Sequence, residues 1–315
     1  MQVKVLSIRR TADDIVAVEL VPSEGLALPA FDAGAHIDVQ LPGGLTRQYS
    51  ICSSPQDRSR YVLGVLKARE SRGGSLAIHA LQEGDIIQIG APRNQFALAR
   101  HARHSILIAG GIGITPILSM AETLSAENAS FALHYCVRDQ GQVAFRERLA
   151  CAALESRVFI HADNGPTGSR LDLDHLLNPA ASDVHVYVCG PGGFIEMVLA
   201  SARRSGWQED RLHREFFAPA EAPTDDSPPF ELLLARSGLC IPVASGQTAL
   251  AALRSAGIEI PTACEQGICG TCLTRVIEGV PDHRDACLSD EEKAGNDQFL
   301  PCCSRARTGH LVIDL

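Results

Sequence analysis

The chain has 315 residues, of which 45% are hydrophobic and 21% charged, and its formal net charge is −9. That balance is the balance of a folded globular protein, and an acidic surplus argues against nucleic acid as the partner. No stretch approaches the roughly 18 uninterrupted apolar residues of a membrane span, and the opening MQVKVLSIRR lacks the layout of a secretory leader, so a soluble, cytoplasmic protein is expected, its oligomeric state open with a monomer favoured.

Residues 3–97 hold six short stretches of strand character, Val3–Ile8, Ile15–Leu20, His36–Leu41, Arg47–Cys52, Tyr61–Lys67 and Asp85–Ile89, parted by turns such as Pro42-Gly43-Gly44. Their even spacing predicts a closed antiparallel β-barrel with one helix over Ser75–Leu81. Within it, Arg47-Gln48-Tyr49-Ser50 puts Arg47 and Tyr49 on one strand face and Ser50 on the other. A guanidinium for phosphate, a phenol for a flat ring and a hydroxyl near the ring nitrogen suit a flavin, although four residues describe an ordinary exposed barrel strand equally well. The turn Ser71-Arg72-Gly73-Gly74-Ser75 reads either as a structural helix start or as a second anion site.

From Ser105 onward, short apolar runs alternate with helical patterns. SILIAG leads to a helix near Pro116–Leu124, FALHYCV to one near Phe145–Ala152, and RVFIHA to a short one over Leu171–Leu177, before DVHVYVCG and a helix over Phe194–Arg204. This alternation predicts a parallel five-stranded α/β unit, which binds ligands at the carboxyl ends of its strands. Two Gly-rich turns stand there: Gly110-Gly111-Ile112-Gly113-Ile114-Thr115-Pro116, and Cys189-Gly190-Pro191-Gly192-Gly193. Each precedes a helix, so missing side chains and backbone amides suit a pyrophosphate, while either turn alone also serves as a tight structural turn. Arg138 and Asp163, each just past a strand, are candidates for the adenosine end or plain surface charges.

The segment APAEAPTDDSPP after Phe217 has the composition of an extended linker, placed at 221–228 between domains spanning 1–102, 103–220 and 229–315. Beyond it, Phe230–Ala235 and Leu239–Val243 read as a hairpin, and Thr248–Ala256 as a helix stopped by Gly257. Eleven cysteines need a reason. Cys264, Cys269 and Cys272 give C-x4-C-x2-C in PTACEQGICGTC, and Cys302 follows thirty positions later. Four converging thiolates with nearby glycines suit a plant-type [2Fe-2S] cluster; zinc is the alternative, and Cys303 and Cys287 compete with Cys302 for the fourth place. The acidic residues Asp285, Asp290, Glu291, Glu292 and Asp297 read as a solvated charged loop or as a patch that steers a basic partner.

Residues 229–315 resemble a plant-type ferredoxin domain of the β-grasp kind, with CEQGICGTC and PCCSRA as its two ligand motifs. The family pattern C-x-S-R-A selects Cys302, with Ser304 and Arg305 in register. Thr115 and Cys189 resemble the residues that face the nicotinamide in ferredoxin-NADP reductase-like enzymes. The order RQYS, SRGGS, GGIGITP, CGPGG, HREFF and the cysteine motif resembles the phthalate dioxygenase reductase family, vanillate demethylase reductases included, over essentially the whole chain. The resemblance implies FMN held by Arg47, Tyr49, Ser50, Lys67, Gly74 and Ser75. It implies NADH over Gly110, Gly111, Gly113, Thr115, Cys189, Gly190 and Pro191, with Glu215 and Phe217 closing that site against the flavin, and a bulky Phe216 departing from the expected pattern. It also implies a Rieske-type oxygenase as electron acceptor, since this chain carries no Rieske or mononuclear iron pattern of its own. A redox sensor with no turnover is the rival reading, against which the intact nicotinamide and flavin motifs count.

Overall fold

The computed structural model describes all residues except 25, 26, 43, 69–72, 166–169, 179, 181, 218–225, 263, 264, 266, 269 and 286. It divides into two compact units, Met1–Phe217 and Ala218–Leu315. No helix among the described residues is long and apolar enough to cross a membrane.

The first unit opens with an antiparallel sheet of β1 (Gln2–Ala12), β2 (Ile15–Pro22), β3 (His36–Leu41), β4 (Leu45–Ser50), β5 (Tyr61–Leu66) and, after helix α1 (Gly74–Ala80), β6 (Ile86–Ile89). The order is β4-β3-β6-β1-β2-β5, and a bridge between Ile51 and Leu63 joins the two outer strands, which closes the barrel. Val3, Val18, Leu20, Ile37, Val39, Leu63 and Ile87 point inward from the alternating strands and form the barrel core. Asp14 turns the β1–β2 hairpin at φ 57°, a conformation Asp tolerates better than most residues.

The second layer of that unit is a parallel sheet of β7 (His104–Gly110), β8 (Phe131–Val137), β9 (Val158–Ala162), β10 (Val184–Gly190) and β11 (Leu212–Phe216), in the order β11-β10-β7-β8-β9. Helices α2 (Ile114–Ala126), α3 (Arg146–Leu149), α4 (Leu173–Leu176) and α5 (Gly192–Arg204) connect the strands. One face carries Leu107, Leu133 and Tyr135 against Ile117, Leu118 and Ala121 of α2, and this core continues into Ala12, Ile15, Cys52 and Phe96 of the barrel half. A shared core makes barrel and sheet one unit. The other face packs Ile108, Val186 and Val188 on Ile195, Val198 and Leu199 of α5. The expected helix over Phe145–Ala152 shrinks to one turn, because Phe145 adopts φ 55° and Leu149 is followed by turns.

The second unit holds β12 (Phe230–Leu234), β13 (Cys240–Val243), α6 (Ala249–Ser255), β14 (Thr274–Glu278), β15 (Pro281–Asp282), α7 (Asp290–Gly295), β16 (Gln298–Phe299), β17 (Arg305–Ala306) and β18 (His310–Ile313). Its main sheet runs β13-β12-β18-β14-β16, with the β12–β18 pair parallel, the mixed sheet of a β-grasp domain. Thr248 caps α6 by accepting the Ala251 N–H at 3.1 Å, and Gly257 ends it at φ 75°.

One charge reads differently in three dimensions. Asp285 is buried, not part of an exposed acidic patch: its carboxylate accepts the Leu288 N–H at 2.9 Å and the Ser304 hydroxyl at 3.2 Å. Glu292 is committed as well, in a capping box with Ser289 at the start of α7.

Candidate functional site

The seam between barrel and parallel sheet gathers residues far apart in the chain. Ser50, the last residue of β4, is buried and shares a hydrogen bond of 3.3 Å with Oε2 of Glu215 on β11. Glu215 lies in register with Cys189 at the end of β10, which in turn lies beside Ala109 of β7. Cys189 is wholly buried; burial, and then the Glu215 carboxylate, push its thiol well above the ordinary range. Burial likewise raises the Glu215 carboxyl to about 8, against the opposing Ser50 hydrogen bond.

His36 on β3 stands across from Ser50 in the β3–β4 ladder, with Nδ1 at 4.0 Å from Glu215 Oε1. Burial, with help from Arg93 and against Asp38, lowers its imidazole to about 4. Burial thus disfavours the charged form of both groups.

Thr115, in the first turn of α2, is buried with Oγ1 donating to the Ile112 carbonyl at 3.1 Å, and its methyl sits 2.5 Å from where a Cβ on Gly64 of β5 would lie. Only glycine lets the barrel strand approach so closely there. Polar contacts stitch the same seam: Arg148 donates to the Cys52 carbonyl at 2.5 Å and pairs with Glu122 at 2.8 Å, Ser119 donates to the Ser53 carbonyl at 2.9 Å, and the Phe145 N–H reaches Thr11 Oγ1 at 2.7 Å. Phe217 packs on the α2-side core, whereas bulky Phe216 turns to the α5 side, as neighbours on a strand must.

The two Gly-rich turns lie against each other. A Cβ on Gly113 would fall 2.2 Å from the Cys189 carbonyl oxygen, and one on Gly190 would meet Gly110 Cα at 3.0 Å, while Gly111, Gly192 and Gly193 face open space. Such a bare backbone ledge admits a pyrophosphate. Pro191 starts α5 from an extended conformation. Arg138 and Asp163 are exposed just past β8 and β9, and Asp163 already pairs with Arg170 at 3.7 Å.

On the barrel, the Arg47 stem is laid over Gly74, where a Cβ would stand 2.6 Å from Arg47 Cγ. Arg47 donates to the Thr46 carbonyl at 2.8 Å, and burial raises the Tyr49 phenol to about 12. Ser75 Oγ accepts the Ala68 N–H at 3.2 Å, and the exposed Lys67 donates its backbone N–H to Asp14 at 2.7 Å. Ser71 and Arg72 lie outside the described residues.

In the second unit, Cys264 and Cys269 lie outside the described residues. The buried Cys302 thiol is in hydrogen-bond contact with Cys272, with Cys303 and with the N–H of Gly267. Gly267 and Gly270 have φ of 73° and 69°, and the Gly267 turn brings its amide to the Cys302 sulfur. Besides its contact with Cys302, Cys303 Sγ approaches the Leu300 carbonyl at 3.7 Å, and Cys287 is partly exposed. Soft, buried, converging donors with backbone N–H groups at hand fit an iron-sulfur cluster. The Arg305 that follows is buried; it donates to the carbonyls of Gln247, of Pro228 at 2.8 Å and of Ala244 at 3.3 Å, and lies over the Phe230 ring, which ties the strand after the ligand to the domain's first strand.

Sequence reasoning passed over His36, Gly64, Phe145, Arg148 and the structural role of Arg305. None of them carries a local signal, because their partners lie dozens of positions away.

Comparison with known proteins follows the same division. Residues 107–200 match the family described as an oxidoreductase NAD-binding domain, and residues 233–307 match the 2Fe-2S iron-sulfur cluster binding domain. The chain is 49% identical to a vanillate O-demethylase oxidoreductase of Pseudomonas sp. strain HR199, over 100% of both chains. It matches the solved structure of a phthalate dioxygenase reductase, described as a modular structure for electron transfer from pyridine nucleotides to [2Fe-2S], with a TM-score of 0.78 and 38% identity over 100% of this chain and 98% of that one. An intact type IV self-sufficient cytochrome P450 monooxygenase gives a TM-score of 0.84 at 38% identity, with this chain covering 41% of that longer one.

Proposed function

Because the chain belongs to the phthalate dioxygenase reductase family, vanillate O-demethylase reductases among them, we propose that it is the NADH-dependent reductase component of a two-component Rieske-type oxygenase. The buried Ser50–Glu215 contact carries this reading, since it sets the barrel strand bearing Arg47 and Tyr49 edge to edge with the strand ends bearing the glycine turns.

When bound, FMN would supply hydride-accepting and one-electron-releasing chemistry, and a [2Fe-2S] cluster would supply one-electron transfer. The chain's own residues arrange that exchange. Arg47 holds the flavin phosphate together with Lys67, Gly74 and Ser75, Tyr49 packs on the ring, and Ser50 touches its reacting edge. Gly110, Gly111, Gly113, Gly190 and Pro191 cradle the dinucleotide, Thr115 and Cys189 bound the nicotinamide, and Glu215 and Phe217 seal it from water. Arg138 and Asp163 take the adenosine end, where a carboxylate at Asp163 opposes the extra phosphate of NADPH. Cys264, Cys269, Cys272 and Cys302 ligate the cluster.

The test is reconstitution. Purified protein with NADH should drive product formation by a Rieske oxygenase such as a vanillate demethylase, with steady turnover that no sensor would sustain. Reduction that stops after one equivalent, or transfer to a P450 haem domain but to no Rieske component, would overturn the proposal.

A further inference from the structure

Helix α2 turns one stripe of side chains toward the barrel, and three residues on it make contact there at successive turns. Thr115, Ser119 and Glu122 follow the i, i+4, i+7 spacing of a single helix face. Thr115 sets its methyl against Gly64 of β5, where an added Cβ would stand 2.5 Å away. Ser119 is wholly buried and donates to the Ser53 carbonyl at 2.9 Å. Glu122 reaches the barrel through a second side chain: it accepts Arg148 Nε at 2.8 Å, and Arg148 Nη2 donates to the Cys52 carbonyl at 2.5 Å. Both members of this ion pair are mostly shielded from water, with side chains 28% and 22% exposed. The guanidinium also lies over the Phe145 ring at 5.4 Å, and that ring is the other wall against Gly64, 3.0 Å from the same added Cβ.

Cys52 and Ser53 lie just beyond Ser50, at the end of the strand that carries Arg47 and Tyr49. They are tied to β5 as well, since Cys52 donates its N–H to the Val62 carbonyl at 2.8 Å and Ser53 Oγ accepts the Val62 N–H at 3.2 Å. Two donors from the nicotinamide half, Ser119 and Arg148, therefore grip two consecutive carbonyls of the barrel, and the helix that bears Ser119 opens with Thr115. We propose that Arg148 is a positioning residue for hydride transfer: with Ser119 it fixes the end of the β4 strand against α2, and thereby the gap between nicotinamide and flavin, a role that rests on the cofactor assignment above. A buried ion pair adds little net stability over apolar side chains of the same size, whereas a planar guanidinium that engages a carboxylate and a carbonyl together fixes direction as well as distance. Position is what the reaction needs, since displacing the reacting groups by about 1 Å costs up to about 100-fold in rate.

The test uses full-length holoprotein with flavin and iron content matched across the variants. In Arg148→Met, anaerobic stopped-flow mixing with NADH should show the limiting rate of flavin reduction lowered about tenfold, with the NADH concentration for half-maximal rate changed by less than about twofold. Arg148→Lys keeps the charge but not the fork and should recover part of the loss. Ser119→Ala removes one hydroxyl, leaves the ion pair in place and should lower the same rate by a smaller factor. Two readouts stand apart from turnover: in Arg148→Met the long-wavelength charge-transfer absorbance of the nicotinamide–flavin complex should weaken, and hydrogen exchange should quicken over residues 50–54 while α2 keeps its protection. A lower unfolding midpoint with the limiting rate and the charge-transfer band unchanged would make the clamp a stability device and overturn the proposal. An unchanged limiting rate in both Arg148→Met and Ser119→Ala overturns it as well. If the unsubstituted protein shows no flavin reduction by NADH, the cofactor assignment itself falls and takes the proposal with it.

Discussion

The two units solve the problem of building a redox site in opposite ways. In Ala218–Leu315 the proposed cluster ligands are nearly local: three of four lie within nine positions, and one buried arginine, Arg305, clamps the strand that follows the fourth. In Met1–Phe217 the proposed flavin and nicotinamide residues come from both layers, and Ser50 and Glu215 touch across 165 positions. A local site depends on its own loop. A seam site depends on whatever holds the layers in register.

The largest expected effect separates the two strategies. Cys302→Ser should abolish cluster visible bands and transfer to the oxygenase, while reduction of ferricyanide by NADH through the flavin survives; Cys303→Ser should keep both. Parallel loss of both activities in Cys302→Ser would mean that the units do not work as successive carriers.

Next in size is the seam. Gly113→Ala drives a Cβ into the Cys189 carbonyl and should destabilise the first unit by about 1–3 kcal/mol and weaken NADH binding, leaving the cluster spectrum of the second unit unchanged. Calorimetry with two resolved transitions reads this directly. By the same comparison, Arg305→Met removes the guanidinium donor from the Gln247 and Pro228 carbonyls, while the Ala244 carbonyl keeps the Gln247 N–H, and should lower the second unit's stability by about 3 kcal/mol with little effect on flavin reduction.

The remaining effect is a pH dependence confined to the first unit. His36 titrates near 4 when folded and near its ordinary 6.5 when unfolded, so the unfolded chain gains its proton first as pH falls. Stability should therefore decline between about pH 6.5 and 4. Glu215 acts on the other side: its folded value near 8 exceeds the unfolded 4.5, so its contribution is complete below 4.5 and is lost as pH rises toward 8. Glu215→Gln should flatten that alkaline decline, and unfolding midpoints from pH 5 to 9 check it.

Sequence legibility follows the same split. Strand alternation and the glycine turns announced the barrel and the parallel sheet, because burial of one strand face and bare backbone at a helix start are written into neighbouring residues. The cysteine spacing announced the iron site for the same reason. Asp285 misled, since a buried carboxylate that caps a turn has the same composition as a surface charge. His36, Arg148 and Gly64 stayed silent, because what they do is decided by Glu215, Cys52 and Thr115, and no local pattern brings those partners together. Phe145 at φ 55° was likewise invisible, its conformation being imposed by the seam rather than by its own preference.

The central claim is that a hydride is taken at the seam and leaves as single electrons through the cysteine-bound cluster. Anaerobic rapid mixing of holoprotein with NADH, followed by visible absorption and by electron paramagnetic resonance, tests it most directly. Flavin bleaching should come first and the reduced-cluster signal second, with two irons per chain and the second phase missing in Cys302→Ser. A cluster signal that precedes flavin reduction, or zinc in place of iron in the isolated protein, would contradict the account.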